Sequence, residues 1–464
     1  MTMDPLLPDK RPPPMQPLSI RGKDSMGHVY TDLTYEGAPV IQSVVKGSFL
    51  AQEIEISELE SLGCPLDEAR KIVGRGYIEE YRQHLLDGLP QPAAEALLCA
   101  MIGQDPAISP DLHEKIALSP TEGGTGGVYF LKNFRGEKTF VFKPEDEEPF
   151  MPSWPRRGVI DVDSSGDIDY PVRLSIKKGR GVGNELLAAK IMADEFKLDV
   201  PSIFYVSPKL RVSRIGSLSR GVGEGLAQKK GGSLQEFKPG FLGSSIRDMS
   251  AMHRTFRGLY EGFESSMRVA ERIAIADCVC GNCDRNSGNI LYSQATKKIY
   301  PIDHSLCFPD GLSLDGFLRR GDFVNETDFR LRVPMEDAIS EETRELCHHL
   351  DSAEIEETMR DAGASFGAIQ EMHMRISFLK IAIEVLPGVD LARVISFYNE
   401  EVDEGMGSAP SLILESARRA GELHKEGDSF PQFLENFQKE ARVLLREFPE
   451  GLPKRSREKL PRFS

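Results

Sequence analysis

Asp284, Asn289 and Asp303 fall within one short stretch, Gly281 to His304, which reads GNCDRNSGNILYSQATKKIYPIDH. Two carboxylates and an amide at this spacing suit phosphoryl transfer. That reaction needs a carboxylate beside the attacking hydroxyl, and a second carboxylate with an amide oxygen to hold magnesium on the nucleotide phosphates. Between them, Asn289-Ile290-Leu291-Tyr292 and Lys298-Ile299-Tyr300-Pro301-Ile302 are apolar-rich runs parted by the polar turn Ser293 to Lys297. The pattern predicts a short β-hairpin that returns Asn289 and Asp303 to one end. An ordinary surface hairpin also uses Asp, Asn and Gly as turn residues, so the assignment needs support from elsewhere in the chain.

Support lies upstream. Gly123-Gly124-Thr125-Gly126-Gly127 leads into Val128-Tyr129-Phe130-Leu131, a turn, and then Thr139-Phe140-Val141-Phe142-Lys143. A glycine-rich turn feeding a hairpin lets backbone amides approach phosphate, and a lysine ending the second strand can reach the same phosphates. An isolated glycine run is more often a flexible loop. This one is not a Walker A loop, because no Gly-Lys-Ser/Thr follows, nor a dinucleotide fingerprint, because a strand and not a helix follows. Further on, Leu186, Ala189, Ile191 and Met192 recur at near-helical spacing and place Glu185 in the first turn of a predicted helix. A carboxylate there could pair with Lys143, although the helix macrodipole alone also favours it.

Together these segments resemble the phosphatidylinositol 3-/4-kinase catalytic family, most closely its type II and plant gamma phosphatidylinositol 4-kinases. The resemblance is carried by GGTGGVYFLKNFRGEKTFVFKPEDEEPF (123–150), GNELLAAKIM (183–192), GSLQEFKPG (232–240) and ADCVCGNCDRNSGNILY through YPIDHSLCFPDG (276–311), and covers roughly residues 115 to 400. It implies an α+β, two-lobed kinase-like fold with a helical N-terminal extension, and an ATP- and Mg2+-dependent phosphotransferase, Mn2+ being the alternative ion. It further implies that Lys143 contacts the α/β-phosphates, that Glu185 orients it, and that Gly124, Thr125, Gly126 and Gly127 lie over the nucleotide. Leu234 to Lys238 would be the hinge, with Gln235, Glu236 and Phe237 against the adenine. Asp284 would be the catalytic-loop aspartate, Arg285 and Asn282 would order that loop, and Asn289 and Asp303 would be the metal ligands.

One departure bears on mechanism. Many relatives have histidine directly after the Asp-Arg pair, where this chain has Asn286. An amide cannot exchange a proton near neutral pH as imidazole can, so Asp284 would serve alone. His304, after the second aspartate, follows the phosphoinositide-kinase pattern. The motifs describe the nucleotide side of the reaction and leave the acceptor open. Beyond Asp303 come Arg319, Arg320, Arg330 and Arg332, interrupted by Asp322, Glu326 and Asp328, which is less basic than a dedicated headgroup-binding segment. A phosphoinositide headgroup is the first expectation, a protein side chain the alternative, and a non-catalytic pseudokinase acting as an interaction module the second alternative. Occupation of all five chemical positions, Lys143, Glu185, Asp284, Asn289 and Asp303, favours catalysis.

The rest of the chain frames this core. At 464 residues and 40% hydrophobic content the chain can bury a large interior, and its net charge of -15 argues against nucleic acid as the main partner. No apolar run is long enough to span a bilayer, and the Pro-rich start, Met1 to Pro17, lacks the apolar stretch of a signal peptide. A cytoplasmic protein is expected, with peripheral membrane contact left open. Seven cysteines without a regular framework fit reduced thiols. Cys278, Cys280 and Cys283 do not form a closed set of four zinc ligands. The expected organisation is an N-terminus lacking order (1–25), a helical extension (26–114) read as a brace with two or three helices over about 51 to 104, an N-lobe and hinge (115–240), a helical C-lobe (241–425) and a helical, basic tail (426–464). Asp161 to Asp169 reads as a solvated acidic loop, and Lys454 to Arg462 as a basic terminus that could sit on anionic lipid.

Overall fold

The computed structural model describes residues 19–23, 29–35, 38–43, 49–121, 126–148, 151, 176, 179–211, 229–242, 263–285, 287–293, 296, 298–314, 338–388, 391, 394, 409–425 and 427–451. Gly124, Thr125, Asn286, the acidic stretch 161–169, the arginines at 319, 320, 330 and 332, and the basic segment 454–462 lie outside them. The chain divides into two compact units, one of residues 1–118 and 131–138 and the other of residues 119–130 and 139–464.

The first unit opens with three strands, β1 (Ser19–Lys23), β2 (Val29–Tyr35) and β3 (Ala38–Ser43), paired antiparallel in sequence order. Strands there depart from the sequence reading, which placed 1–25 without order and a helical extension from 26. Five helices follow: α1 (Phe49–Ser61), α2 (Leu66–Val73), α3 (Tyr77–Leu86), α4 (Gln91–Ile102) and α5 (Pro110–Ile116). The two or three helices expected over 51–104 are four there, because the turns at Gly63 and Gly76, both at positive φ, break what reads as one continuous periodic run. Leu59, Ile72, Ile78, Leu98 and Ile102 bury one face of each of the first four helices in a shared core.

The second unit is built around a five-stranded sheet, in the order β4-β5-β6-β8-β7, formed by β4 (Ser119–Pro120), β5 (Tyr129–Lys132), β6 (Lys138–Pro144), β7 (Ile203–Arg211) and β8 (Lys229–Glu236). Between β6 and β7 runs α6 (Gly181–Asp194). Strand β6 alternates strictly: Phe140 and Phe142 are buried on one face. Lys143 therefore projects from the other.

After the short β9 (Phe241–Leu242) comes α7 (Phe263–Cys280), whose second half, Ile273 to Cys280, is buried almost throughout. The hairpin β10 (Ile290–Ser293) and β11 (Lys298–Pro301) pairs Ile290 with Pro301. Helices α8 (Glu341–His349), α9 (Ser352–Asp361), α10 (Phe366–Val385), α11 (Ala409–Leu423) and α12 (Phe430–Gly451) complete the unit. Helix α10 is apolar on nearly all sides, as a helix at the centre of a core must be, and Phe378, Leu379 and Ala382 are fully buried. The mixed helix and sheet content, with five helices ahead of the second unit's sheet, bears out the α+β reading.

Candidate active site

Glu185 is brought to Lys143 by the first turn of α6. Two glycines, Gly181 and Gly183, open that helix, and its N-cap residue Arg180 makes no side-chain cap. The Glu148 carboxylate supplies one instead, accepting from Gly181 N–H at 2.9 Å and Val182 N–H at 2.6 Å, so an anion satisfies two of the unpaired donors at the positive end of the helix. One turn in, Asn184 Nδ2 donates to the Cys307 carbonyl at 2.7 Å. With the helix so placed, Lys143 Nζ lies 2.8 and 2.9 Å from the two oxygens of Glu185 and 3.1 Å from Asp303 Oδ1.

Two carboxylates thus share one ammonium. Burial works against the charged lysine, but Asp303 and Glu185 outweigh it and raise the Lys143 pKa. Burial raises the Glu185 carboxyl despite Lys143. At Asp303 burial is overcome by the Lys143 charge and by hydrogen bonds from Lys143 and Ser305, which hold it below the usual carboxylate range. Asp303 itself has φ 58. Such a left-handed backbone is uncommon outside glycine, and Asp tolerates it better than most residues.

The loop carrying Asp284 begins where α7 ends. Gly281, at φ 61, accepts the left-handed turn that closes the helix; its N–H bonds Cys278 O, and Asn282 N–H folds back to Asp277 O at 2.9 Å. A side chain at 281 would meet Pro309 Cδ at 2.7 Å. Asn282 is thereby set above Asp277, donating Nδ2 to Asp277 Oδ1 at 2.9 Å while its Oδ1 accepts the Asp284 N–H at 2.9 Å. Asn289 Nδ2 donates to Asp284 O at 2.7 Å and to Asp284 Oδ2 at 3.2 Å. The hairpin register brings Ile302 N–H to Asn289 O at 3.0 Å, so Asn289 and Asp303 meet at one end as the sequence pattern predicts.

Arg285 is fully buried and uses all five of its N–H groups. Nε and Nη2 grip the Asp277 carboxylate at 2.9 and 3.1 Å, Nη1 donates to the carbonyls of Asn289 and Ile302 at 2.5 and 2.7 Å, and Nη2 also meets His304 Nδ1 at 2.9 Å. It therefore has no donor left for a reactant and acts on the loop, not on the chemistry. Burial, with the Arg285 and Lys143 charges, drives the His304 pKa well below its ordinary value. The imidazole is neutral, with its Nδ1 lone pair turned to Arg285.

The nucleotide-side residues are partly rearranged from expectation. Gln235 is buried within β8, paired with Val141 and Ile203. The Glu236 and Phe237 N–H groups bond Ser202 O and Thr139 O, both at 2.8 Å, so these two backbone donors belong to the sheet and do not face a ligand. The Phe237 ring meets Phe130 of β5 edge-on, with centroids 5.6 Å apart. Gly127 N–H bonds Glu147 O at 3.1 Å, and a Cβ there would fall 1.8 Å from Glu147 Oε2, the atom that also accepts from Tyr129 OH. Gly126 lies beside it in the glycine run. Asp277, Asn184 and Glu147 went unnoticed in the sequence. For Asp277 the signal was a lone carboxylate inside the apolar run Ile273 to Cys280.

Residues 190–377 match the family model described as phosphatidylinositol 3- and 4-kinase. Phosphatidylinositol 4-kinase gamma 4 of Oryza sativa subsp. japonica is 31% identical over 242 residues, 48% of this chain and 38% of its own length. Phosphatidylinositol 4-kinase gamma 5 of Arabidopsis thaliana is 30% identical over 210 residues, covering 41% and 29% of the two chains. The resemblance to the phosphatidylinositol 3-/4-kinase catalytic family is thus borne out, with plant gamma-type enzymes among the relatives. The chain spans only 29% to 38% of the length of these two. A solved structure, that of the Helicobacter pylori proinflammatory kinase CtkA, covers 60% of this chain at 13% identity with a TM-score of 0.31, too distant a likeness to bear on the fold.

Proposed function

We propose that this chain is an ATP-dependent phosphotransferase that moves the γ-phosphate of ATP to a hydroxyl of an inositol lipid. The observation that carries the reading is the cluster in which Lys143 Nζ bonds both Glu185 and Asp303, at the end of the hairpin where Asn289 is tied to Asp284. A lysine steadied by a helix carboxylate, beside a carboxylate and an amide oxygen, is what positioning and charge stabilisation of a phosphoryl group require.

The donor set suits a hard divalent cation. The Asn289 nitrogen is engaged by Asp284, which leaves its carbonyl oxygen as the atom presented, and both hydrogen bonds to the ionised Asp303 carboxylate fall on Oδ1. Oxygen ligands of this kind suit Mg2+, or Mn2+ in its place. Asn289 Oδ1 and Asp303 Oδ2 would hold the ion, which would neutralise charge on the phosphate oxygens. Lys143 binds the α/β-phosphates and Glu185 keeps it there. Asp284 orients the acceptor hydroxyl and takes its proton as the bond from γ-phosphorus to the bridging oxygen of ADP breaks and the bond to the acceptor oxygen forms. Phe237, backed by Phe130, offers an apolar wall to the adenine.

An inositol lipid is favoured as acceptor by the family likeness of residues 190–377. Among the described residues no helix is long and apolar enough to cross a membrane, so lipid would be met by peripheral contact. The test is purified full chain with labelled ATP and Mg2+, offered in parallel phosphatidylinositol vesicles and cell lysate. Label in the lipid supports the reading. Labelling of a defined protein with none in lipid moves the acceptor to protein side chains, and no transfer to either acceptor, in a chain that binds nucleotide, refutes the proposal.

A further inference from the structure

Asp277 lies outside the expected catalytic set, on the last turn of α7, with none of its surface exposed. Its carboxylate collects three hydrogen bonds: two from Arg285 in a parallel fork and one from Asn282. From it two branches run to the chemistry. Through Asn282, whose carbonyl oxygen takes the Asp284 N–H, it fixes the backbone of the acceptor-side aspartate. Through Arg285, which holds the carbonyls of Asn289 and Ile302 and the ring of His304, it fixes both metal-side residues. Asn289 before the hairpin, and Ile302 and His304 after it, are where that guanidinium touches its ends.

We infer that Asp277 is the positioning residue from which Asp284, Asn289 and Asp303 take their mutual geometry, an inference that rests on the phosphotransfer reading of that site. Arg285 is a buried cation, and a bidentate carboxylate is the partner that both compensates its charge and sets the plane of its fork. Without Asp277, Arg285 is a buried cation that has lost its bidentate carboxylate, and its three remaining bonds, to the carbonyls of Asn289 and Ile302 and to the His304 ring, lose their common reference. The two branches make the inference separable. A change at Asp277 disturbs acceptor and metal sides together. A change at Asn282 disturbs the acceptor side directly and reaches the metal side only through the Asn289 side chain that Asp284 holds, leaving the Arg285 bonds to Asn289 O, Ile302 O and His304 in place.

The experiment compares full-length parent, Asp277→Asn, Arg285→Lys and Asn282→Ala by two readouts. One is Mn2+ affinity in the presence of a non-hydrolysable ATP analogue, followed by electron paramagnetic resonance. The other is kcat and KM for ATP. Asp277→Asn is expected to weaken Mn2+ binding about tenfold or more and to lower kcat by a similar factor, the range seen when residues behind metal ligands are changed, with KM for ATP shifted less than about threefold. Asn282→Ala is expected to lower kcat while weakening Mn2+ binding less than about threefold, clearly less than Asp277→Asn does. Combining Asp277→Asn with Arg285→Lys should add little to the worse single change, because both break one network. Mn2+ affinity and kcat of folded Asp277→Asn within twofold of the parent, or strictly multiplicative effects in the double variant, overturn the inference. Should Asp277→Asn not fold, Arg285→Lys and Asn282→Ala leave Asp277 in place and decide the matter through the same contrast in Mn2+ affinity. A parent that binds Mn2+ and nucleotide but transfers phosphate to nothing would fail the proposed reaction, while the Mn2+ comparison would still test the positioning role.

Discussion

Glu185→Gln separates what the buried cluster does for activity from what it does for stability. In the parent, two carboxylates compete for one ammonium, at 2.8 and 3.1 Å, with Glu185 almost wholly buried and Asp303 partly open. Removing the Glu185 charge leaves a balanced pair of Lys143 and Asp303, so no buried charge is stranded, and stranding is what makes the loss of one ion-pair partner expensive. Tm should therefore stay within roughly 2 °C of the parent, or rise. Activity should not. Gln can accept only one of the two hydrogen bonds that Lys143 now gives Glu185, and a bond to a charged group contributes about 1.5–3 kcal/mol. At 1.36 kcal/mol per decade this lowers kcat/KM for ATP by roughly tenfold to a hundredfold as Lys143 moves toward Asp303.

The pH dependence has a definite sign. Burial raises the Glu185 pKa in the folded protein, so the folded state holds that proton more readily than the unfolded chain. Its contribution to stability is complete below the ordinary glutamate value and is lost as pH rises through the folded-state value. Glu185→Gln should lack that decline, and its Tm advantage should appear on the alkaline side of this window. Scanning calorimetry across pH, with steady-state kinetics at saturating acceptor, checks both halves. A kcat/KM within twofold of the parent would refute the orienting role. A fall in Tm of roughly 8 °C or more, on the order of 3 kcal/mol, would make the cluster a structural pair instead.

Other expectations follow from the same contacts. Lys143→Met leaves the buried Glu185 carboxylate facing the partly open Asp303 one with no cation between them, so its Tm should fall at neutral pH and recover on mild acidification, where one of them takes a proton. Asp303→Asn, which keeps a side chain tolerant of the left-handed backbone, should lower transfer by roughly a thousandfold as charge stabilisation is lost, with Tm within a few degrees. Asp284→Asn should lower kcat by about a hundredfold or more with KM for ATP little changed; transfer near the parent rate would end the catalytic-loop assignment. In Gly232→Ala the new Cβ would fall 2.1 Å from the Lys143 carbonyl oxygen, so β6 and β8 must part. The denaturant midpoint should then report a loss of about 2 kcal/mol, together with reduced activity.

The arrangement around Asp284, Asn289 and Asp303 was legible because the residue types are restrictive and the Asn289–Asp284 contact is local, whereas the Lys143 contacts with Glu185 and Asp303 join distant segments. The hairpin from Ile290 to Pro301 announces itself by two apolar runs about a polar turn, and its register is what joins Asn289 to Asp303. Helix α6 shows through the spacing of Leu186, Ala189, Ile191 and Met192, the last three of which are buried. The use of the Glu236 and Phe237 N–H groups was not legible, since their acceptors, Ser202 and Thr139, come from distant segments whose pairing is a property of the sheet. Nor was Asp277 visible as a hub. Inside the apolar run Ile273 to Cys280 a single carboxylate reads as an exception until Arg285, eight residues on, is seen to fold back onto it. The strands β1 to β3 escaped because their residues alternate weakly: Thr31, Asp32 and Thr34 dilute the pattern of β2.

Helix α6 is held at its start by Glu148, at Asn184 by the Cys307 carbonyl, and at Glu185 by Lys143 and the His304 N–H. Four fastenings within one and a half turns make it a post and not a lever. A kinase whose corresponding helix swings can be throttled by whatever pushes the helix aside. In this chain such a push would have to break a carboxylate cap, the hydrogen bond from the Asn184 amide and an ion pair at once. The Lys143–Glu185 pair is therefore assembled from the moment the unit folds, and under the phosphotransfer reading proposed above, control over turnover would fall to the supply of acceptor and to whatever brings the protein to it.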